Sequence, residues 1–156
     1  VYAPDAIETA KKLILQGADI VTDTNMALAG INKRALARHG GEAHCFMADE
    51  KVAALAKERG VTRATVSMEF AAQLNKPVIF AVGNAPTALI RLYEMITGGE
   101  FRPAFIIGVP VGFVNVEAAK ELILKTDVPY IINRGRKGGS NVAAAICNAL
   151  LYELGR

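Results

Sequence analysis

The chain of 156 residues contains no tryptophan, only two cysteines and only two histidines, and its apolar runs are short. The cysteines, Cys45 and Cys147, lie in apolar stretches without C-x-x-C spacing, which argues against a disulfide scaffold and against a zinc site. The longest apolar runs, 77–82 and 104–111, are too short to cross a membrane and are typical of buried strands. The sequence therefore predicts a soluble globular protein of the reducing cytoplasm, with no metal site.

Charge of either sign is also modest. With 18 Lys and Arg against 15 Asp and Glu, the net charge is +3, and the basic residues are interspersed with acidic ones except around 134–137, which argues against nucleic-acid binding. Hydrophobic residues make up 52% of the chain, too many for intrinsic disorder. No linker or low-complexity tract interrupts the chain, so 1–156 is expected to form one domain. The chain begins at Val1 without a signal peptide, and we expect that its natural start is missing.

The second half of the chain repeats one design three times: an apolar strand, a glycine-bearing turn and a helix, at 77–90, 104–116 and 129–146. A proline stands at the start of each strand, where a missing N–H does no harm. The first half predicts further elements by the same signals of periodicity and capping: helices at 3–16, 50–59 and 62–74, an amphipathic segment at 25–30, and strands at 19–23 and 43–47. This alternation predicts a single-domain α/β fold, with a mostly parallel sheet of about five strands and helices on both faces.

In such a fold the turns that follow parallel strands fall on one edge of the sheet, the carboxyl edge, where open α/β proteins bind ligands. The three glycine-bearing turns are therefore expected to converge on one site. Because the third turn carries several cations, we expect that site to be positively charged.

The first turn, 83–87, follows the strand that begins at 77. Gly83 is expected to adopt an unusual φ, Asn84 to cap the next helix, and Pro86 suits a first helical turn. One interpretation is an ordinary well-formed turn, and the functional one is that free N–H groups at the helix start hold a ligand carboxylate. The candidate binding residues of this turn are Gly83, Asn84, Ala85 and Thr87.

The second turn, 108–114, interrupts an apolar stretch with two glycines and a proline. An apolar wall shaped closely by backbone suits a large flat hydrophobic ligand, and the alternative is a buried bend across the core. The candidate binding residues of this turn are Gly108, Pro110, Val111, Gly112 and Phe113.

The third turn, 134–140, places three cations beside three glycines. An anion gains there from the fixed charges and from the start of a helix that Ser140 is expected to cap; the alternative is a solvated basic loop. The spacing does not fit a G-x-x-x-x-G-K-[ST] phosphate loop, and no G-x-G-x-x-G follows a strand, which argues against a nucleotide-binding domain. The candidate binding residues are Arg134, Arg136, Gly138, Gly139 and Ser140, with Lys137 as the third cation.

Three further residues need an interpretation. Arg63 occupies the first turn of a predicted helix, an unfavourable place for a cation, so it is either a surface arginine or one kept for function. His39 and His44 fit no Ser-His-Asp or Cys-His arrangement in the sequence. We expect His39 to be exposed and His44 to pack in its strand or to face solvent.

Together these motifs resemble those of the precorrin isomerases, the precorrin-8X methylmutases of corrin biosynthesis. The resemblance rests on 82–89, 108–114 and 134–140, supported by 17–26, 30–32 and 61–63, in the same order along nearly the whole chain. No single one of these segments identifies the family, but their combination is specific for it.

The resemblance implies an α/β enzyme, homodimeric and without a metal or organic cofactor. It would move a methyl group between adjacent carbons of ring C in a corrinoid macrocycle, converting precorrin-8X or cobalt-precorrin-8 into hydrogenobyrinate or cobyrinate. The protein would hold this flat, carboxylate-fringed ring and favour one tautomer.

The resemblance also bears on individual residues. It places Arg63 against the substrate, and it places the proton-handling histidine in a segment that precedes Val1, so neither His39 nor His44 takes that role. The chain alone is then expected to lack full activity. The alternative is a non-catalytic module that binds a corrinoid or another tetrapyrrole.

Overall fold

The structure, a computed structural model, describes residues 5–112, 115–135 and 137–154. Its helices and strands alternate along the chain in this order: α1 (Ala6–Leu15), β1 (Asp19–Thr22), α2 (Asn25–Gly30), α3 (Lys33–Ala37), β2 (Ala43–Cys45), α4 (Glu50–Arg59), α5 (Arg63–Ala71), β3 (Val78–Val82), α6 (Pro86–Thr97), β4 (Phe105–Gly108), α7 (Val116–Leu124), β5 (Tyr130–Ile132) and α8 (Ser140–Leu154).

The strands form one parallel sheet in the order β2-β1-β3-β4-β5. In this register Ile20 lies between Ala43 and Ile79, and Ile79 pairs in turn with Phe105. The α/β class and the parallel five-stranded sheet are therefore confirmed. The strand order reverses between β1 and β3, and this switch point is where the carboxyl edge of such sheets opens into a crevice.

Helices cover both faces of the sheet. Alternate side chains of a strand point to opposite faces, so Ile79 and Ala81 pack with α1 and α8, whereas Phe80 and Val82 pack with α5, α6 and α7. Every residue of β1, β3 and β4 is buried, which is the pattern of parallel strands covered on both sides. Within the described residues, no helix has the length and apolar character needed to cross a bilayer.

The element boundaries differ from the sequence predictions by a few residues. The predicted helix at 62–74 ends at Ala71, and the predicted strands at 19–23 and 43–47 end at Thr22 and Cys45. Two predicted caps are confirmed, because the side chains of Asp49 and Thr62 accept hydrogen bonds from backbone N–H groups in the first turns of α4 and α5. The earlier end of β1 affects the site, because it places Asp23 in the turn that follows the strand.

Candidate functional site

The turns after β3, β4 and β5 meet in one hollow of about 260 Å³ at the carboxyl edge of the sheet. Its lining residues come from these three turns and from the starts of α2 and α8: Met26, Gly83, Asn84, Val111, Gly138, Gly139, Ser140 and Asn141. The predicted convergence of the three turns is therefore confirmed. Met26 and Asn141 were not among the residues that the sequence indicated.

The floor of the hollow is backbone in close contact with backbone. A Cβ atom on Gly83 would lie 2.7 Å from the carbonyl oxygen of Gly139, and a Cβ on Gly138 would overlap the carbonyl oxygen of Val109. The N–H of Gly139 donates to that Val109 oxygen at 2.9 Å. The expectation of an unusual φ at Gly83 is wrong, since its φ is not positive; glycine is required there because the start of α8 passes too close for a side chain.

Asp23, the residue after β1, fills the place that the sequence assigned to a ligand carboxylate. Its buried carboxylate accepts hydrogen bonds from the backbone N–H groups of Gly83 at 2.8 Å, Asn84 at 2.8 Å and Ala85 at 2.6 Å. The expectation that these N–H groups are free for a ligand is therefore wrong. Burial raises the pKa of Asp23, while the three N–H donors favour its ionised form and oppose that shift.

The same contacts correct the predicted cap of α6. The residue in the capping position is Ala85, and no side chain of its own caps the helix. Asn84 instead lies exposed at the rim of the hollow. The Asp23 carboxylate, distant in the sequence, accepts the hydrogen bonds at this helix start that the side chain of Asn84 was expected to accept.

A second link joins the β1–α2 turn to the third glycine-bearing turn. The hydroxyl groups of Thr24 and Ser140 share a hydrogen bond of 2.7 Å, and Thr24 also caps α2 by accepting from the N–H of Ala27 at 3.0 Å. Ser140 is the first residue of α8, so its hydroxyl joins two helix starts rather than acting as the predicted cap.

The side chain of Lys120, on α7, holds the loop before α8 by hydrogen bonds to its backbone. Its ammonium group donates to the carbonyl oxygens of Gly135 at 2.9 Å and Lys137 at 3.0 Å, and the Lys120 residue is only 1% exposed. Desolvation lowers the pKa of Lys120, and attraction to Glu117 opposes this shift. The sequence analysis missed this role, although Lys120 falls on the same face of α7 as the buried Val116, Ala119 and Ile123.

The two described cations of the third turn, Arg134 and Lys137, do not line the hollow. Arg134 and Lys137 are exposed, and the Arg134 Nε lies 3.9 Å from a carboxylate oxygen of Glu121. Arg136 lies outside the described residues. Among the lining residues that the structure describes, none is charged, so the expectation of a charged hollow is corrected to that of a neutral hollow with cations on the loop beside it.

Several other predicted residues lie apart from the hollow. Gly108 and Pro110 are buried and do not line it, and Gly112 follows the lining residue Val111 with a φ of 144°. Phe113 lies outside the described residues.

Arg63 and Thr87 are placed by the starts of two helices. The Thr62 hydroxyl donates to the Thr87 hydroxyl at 3.1 Å, which brings the start of α5 beside the start of α6. Arg63, the next residue, is exposed, and its side chain makes no hydrogen bond or ion pair with any residue that the structure describes.

His44 is the middle residue of β2, and its ring reaches Asp19 at the amino end of β1. Its Nε2 is 2.9 Å from one carboxylate oxygen of Asp19, and the Lys76 ammonium is 2.6 Å from the other. Burial of Asp19 would raise its pKa, but the hydrogen bonds from Lys76 and His44 prevail and lower it. In the part of the chain that the structure describes, no three His, Cys, Asp or Glu side chains come together as a metal site would require.

Comparison with known proteins adds an independent result. A family model described as precorrin-8X methylmutase matches residues 1–153. A cobalt-precorrin-8 methylmutase of Salmonella typhimurium is 45% identical over 154 residues, covering 98% of this chain and 71% of the relative. One of Priestia megaterium is 44% identical over 149 residues, covering 96% of this chain and 66% of the relative.

A solved structure shows the same likeness in three dimensions. The precorrin-8X methyl mutase of Thermus thermophilus superimposes with a TM-score of 0.87 at 38% identity, over 97% of this chain and 74% of that one. The chain thus spans about two thirds to three quarters of the length of these relatives.

Proposed function

Because the chain belongs to the precorrin-8X methylmutase family, we propose that it takes part in the isomerisation of precorrin-8X or cobalt-precorrin-8 in cobalamin biosynthesis. The reaction is an intramolecular methyl transfer that gives hydrogenobyrinate or cobyrinate. The observation that carries the proposal is the family match along residues 1–153. That match favours an isomerase over a non-catalytic module that binds a tetrapyrrole.

The hollow would bind part of the macrocycle. Its volume of about 260 Å³ lies below the roughly 300–1,000 Å³ of pockets that enclose a drug-sized ligand. A corrinoid ring is larger than such a ligand, so one edge of the ring would enter the hollow and the remainder would extend across its rim. The glycine floor allows the ring to approach the backbone closely.

The carboxylates of the substrate would meet the cations around the hollow. We assign this role to Arg63 and to the third turn, with Arg134, Arg136 and Lys137. The start of α6 is not an anion site in this proposal, since Asp23 already occupies its N–H groups. Because Gly108 and Pro110 are buried and do not line the hollow, the proposed substrate-binding residues are Arg63, Gly83, Asn84, Ala85, Thr87, Val111, Gly112, Phe113, Arg134, Arg136, Gly138, Gly139 and Ser140.

No residue of this chain is assigned the proton transfer. His44 is engaged with Asp19 at the amino edge, away from the hollow at the carboxyl edge, and His39 follows α3 at its turn toward that same amino edge. The residues of this chain are assigned the binding of the corrinoid.

We further propose that the protein acts in the cytoplasm as a homodimer and does not bind nucleic acid. The homodimer is supported by the family resemblance, and size-exclusion chromatography with light scattering tests it. The interspersed acidic and basic residues support the absence of nucleic-acid binding.

Binding is tested by titrating the chain with hydrogenobyrinate while following the visible spectrum. Replacing Arg63 with alanine should weaken binding at least about tenfold, since a hydrogen bond to a charged group contributes about 1.5–3 kcal/mol. Arg102→Ala is the matched control, because Arg102 is exposed and is engaged with Asp127 just before β4, at the opposite edge. Equal affinity of the Arg63 variant and the wild type would remove Arg63 from the site.

Turnover is tested with precorrin-8X and with cobalt-precorrin-8. The proposal expects methyl transfer within at least one of these two substrates. Failure to convert either substrate would overturn the proposed reaction.

A further inference from the structure

Two large apolar side chains stand exposed on the rim of the hollow. Met26, near the start of α2, is 66% exposed, and Val111, in the turn after β4, is 44% exposed. Both line the hollow, whose remaining described lining is backbone, asparagine and serine. Of these two residues, the sequence indicated only Val111.

The backbone under Met26 is held firmly, although its side chain is free. At one end of α2, the Thr24 hydroxyl caps the helix and bonds to Ser140. At the other end, the Asn148 side chain of α8 donates to the carbonyl oxygen of Gly30 at 2.7 Å. The short helix is therefore fixed along α8, and Met26 is held beside the start of α8.

Val111 is held in a similar way. The preceding Val109 accepts a hydrogen bond from the Gly139 N–H at 2.9 Å, and Gly138 packs directly against the Val109 carbonyl group. The turn after β4 therefore cannot move away from the start of α8 without breaking these contacts.

Exposed apolar surface has an unfavourable free energy of hydration, so covering it with a ligand lowers the free energy. Met26 and Val111 flank a floor that carries no side chain, so a flat ligand can reach the floor and cover both of them. Methionine suits such a contact because its unbranched thioether adapts to the shape of the ligand and interacts well with conjugated rings.

We propose that Met26 and Val111 contact the macrocycle itself, with Met26 as a substrate-binding residue that selects for a broad flat ring over a smaller polycarboxylate. This inference rests on the proposed function and adds to it an apolar contact from α2. The cations then bind the acidic periphery of the ligand, and these two side chains bind its apolar face.

The test is the affinity of Met26→Ala for hydrogenobyrinate. Truncating a methionine that a ligand covers should weaken binding about five- to tenfold. Met26→Leu, which keeps most of the apolar volume, should bind nearly as well as the wild type. The matched control is Leu15→Ala, since Leu15 is 54% exposed at the end of α1 that leads into β1, at the opposite edge of the sheet.

Two further readouts separate an apolar contact from a structural effect. The heat-capacity change of binding should be less negative in Met26→Ala, because less apolar surface is buried. Its loss of affinity should not depend on salt, whereas the loss in Arg63→Ala should shrink as salt rises. The urea midpoint of Met26→Ala should match that of the wild type.

Wild-type affinity in Met26→Ala, or an equal loss in Leu15→Ala, would overturn the inference and leave the proposed function standing. Absence of binding by the wild-type chain would count against the proposed function itself, and the inference would fall with it.

Discussion

Replacing Asp23 tests the contact on which the shape of the hollow depends. The Asp23 carboxylate is fully buried, and it accepts three backbone hydrogen bonds of 2.6–2.8 Å from Gly83, Asn84 and Ala85. Asp23→Ala removes the acceptor entirely. Asp23→Asn keeps the shape but leaves one oxygen where there were two and places an NH₂ group against backbone donors.

The expected cost follows from these contacts. Each hydrogen bond to a charged acceptor contributes about 1.5–3 kcal/mol, and a buried donor left without an acceptor costs about 1–3 kcal/mol. Simple addition overstates the loss, because burial of the carboxylate is itself unfavourable and neighbouring contacts are not independent. We therefore expect Asp23→Ala to lower the free energy of unfolding by about 3–5 kcal/mol and Asp23→Asn by about 2–4 kcal/mol, against a total of about 5–15 kcal/mol for a typical domain.

The assay is urea unfolding followed by circular dichroism, with a titration of hydrogenobyrinate on the same samples. The midpoint should fall without a change in the slope m, because the surface exposed on unfolding is the same. Asp127→Asn is the matched control, since Asp127 is an exposed carboxylate paired with Arg102 far from the hollow. Corrinoid affinity should fall in Asp23→Asn, because Asn84 lines the hollow and loses its support.

A particular pattern of results would refute this reasoning. If Asp23→Asn unfolds within about 0.5 kcal/mol of the wild type, the range of ordinary surface changes, then the three N–H groups do not depend on this carboxylate. If Asp23→Ala fails to fold, the Asp23→Asn variant still provides the measurement. A midpoint shift as large in Asp127→Asn would show a general effect of charge instead.

Two other predictions concern the buried Lys120 and the buried Asp19. Lys120→Met should remove the Lys120 donor from the Gly135 carbonyl oxygen and leave the Lys137 carbonyl oxygen with Asn133 as its donor. It should lower the free energy of unfolding by about 1–3 kcal/mol and speed amide hydrogen exchange across 133–139 but not in α1; unchanged exchange there would contradict the assigned role. For Asp19, the lowered pKa means that its ionised form stabilises the fold above the ordinary carboxyl pKa, and that this contribution is lost as pH falls through the folded-state pKa. The stability difference between wild type and Asp19→Asn in urea should thus be clear at pH 7 and shrink toward pH 3; a difference independent of pH would be inconsistent with the contacts from Lys76 and His44.

The fold was predictable because its signals are local and repeated. Apolar runs of strand length, each entered by a proline and left by a glycine-bearing turn, predict buried parallel strands wherever they fall in the chain. The general rule for the carboxyl edge then brings Asn84, Val111 and Ser140 together, and the structure confirms that convergence.

The supporting contacts were not predictable, because they join residues far apart in sequence. Asp23 read as the end of a strand, and its partners begin sixty residues later at Gly83. The strand order supplies the missing information, since β1 lies beside β3 and an acid just after β1 faces the turn after β3. Lys120 did carry a signal in its spacing, since it falls on the buried face of α7 with Val116, Ala119 and Ile123, but the loop carbonyl groups that it contacts could not be identified from the sequence.

Met26 illustrates the same limit for the site itself. In the sequence it belongs to an amphipathic segment in which a methionine would be assigned to the core. In the folded chain it is the neighbouring Ala27 that is buried, and the start of the helix is held by the bond between Thr24 and Ser140. The rotation of the helix, which the sequence does not encode locally, decides which side chain is exposed.

The close backbone contacts at Gly83 and Gly138 have a practical consequence for anyone redesigning the hollow for new ligands. Mutagenesis at these two glycines would give few folded variants, because any larger side chain collides with the main chain of an adjacent turn. Positions 26 and 111 are open to solvent and carry no such restriction. New ligand preferences should therefore be sought by varying those two positions, with the glycines kept constant.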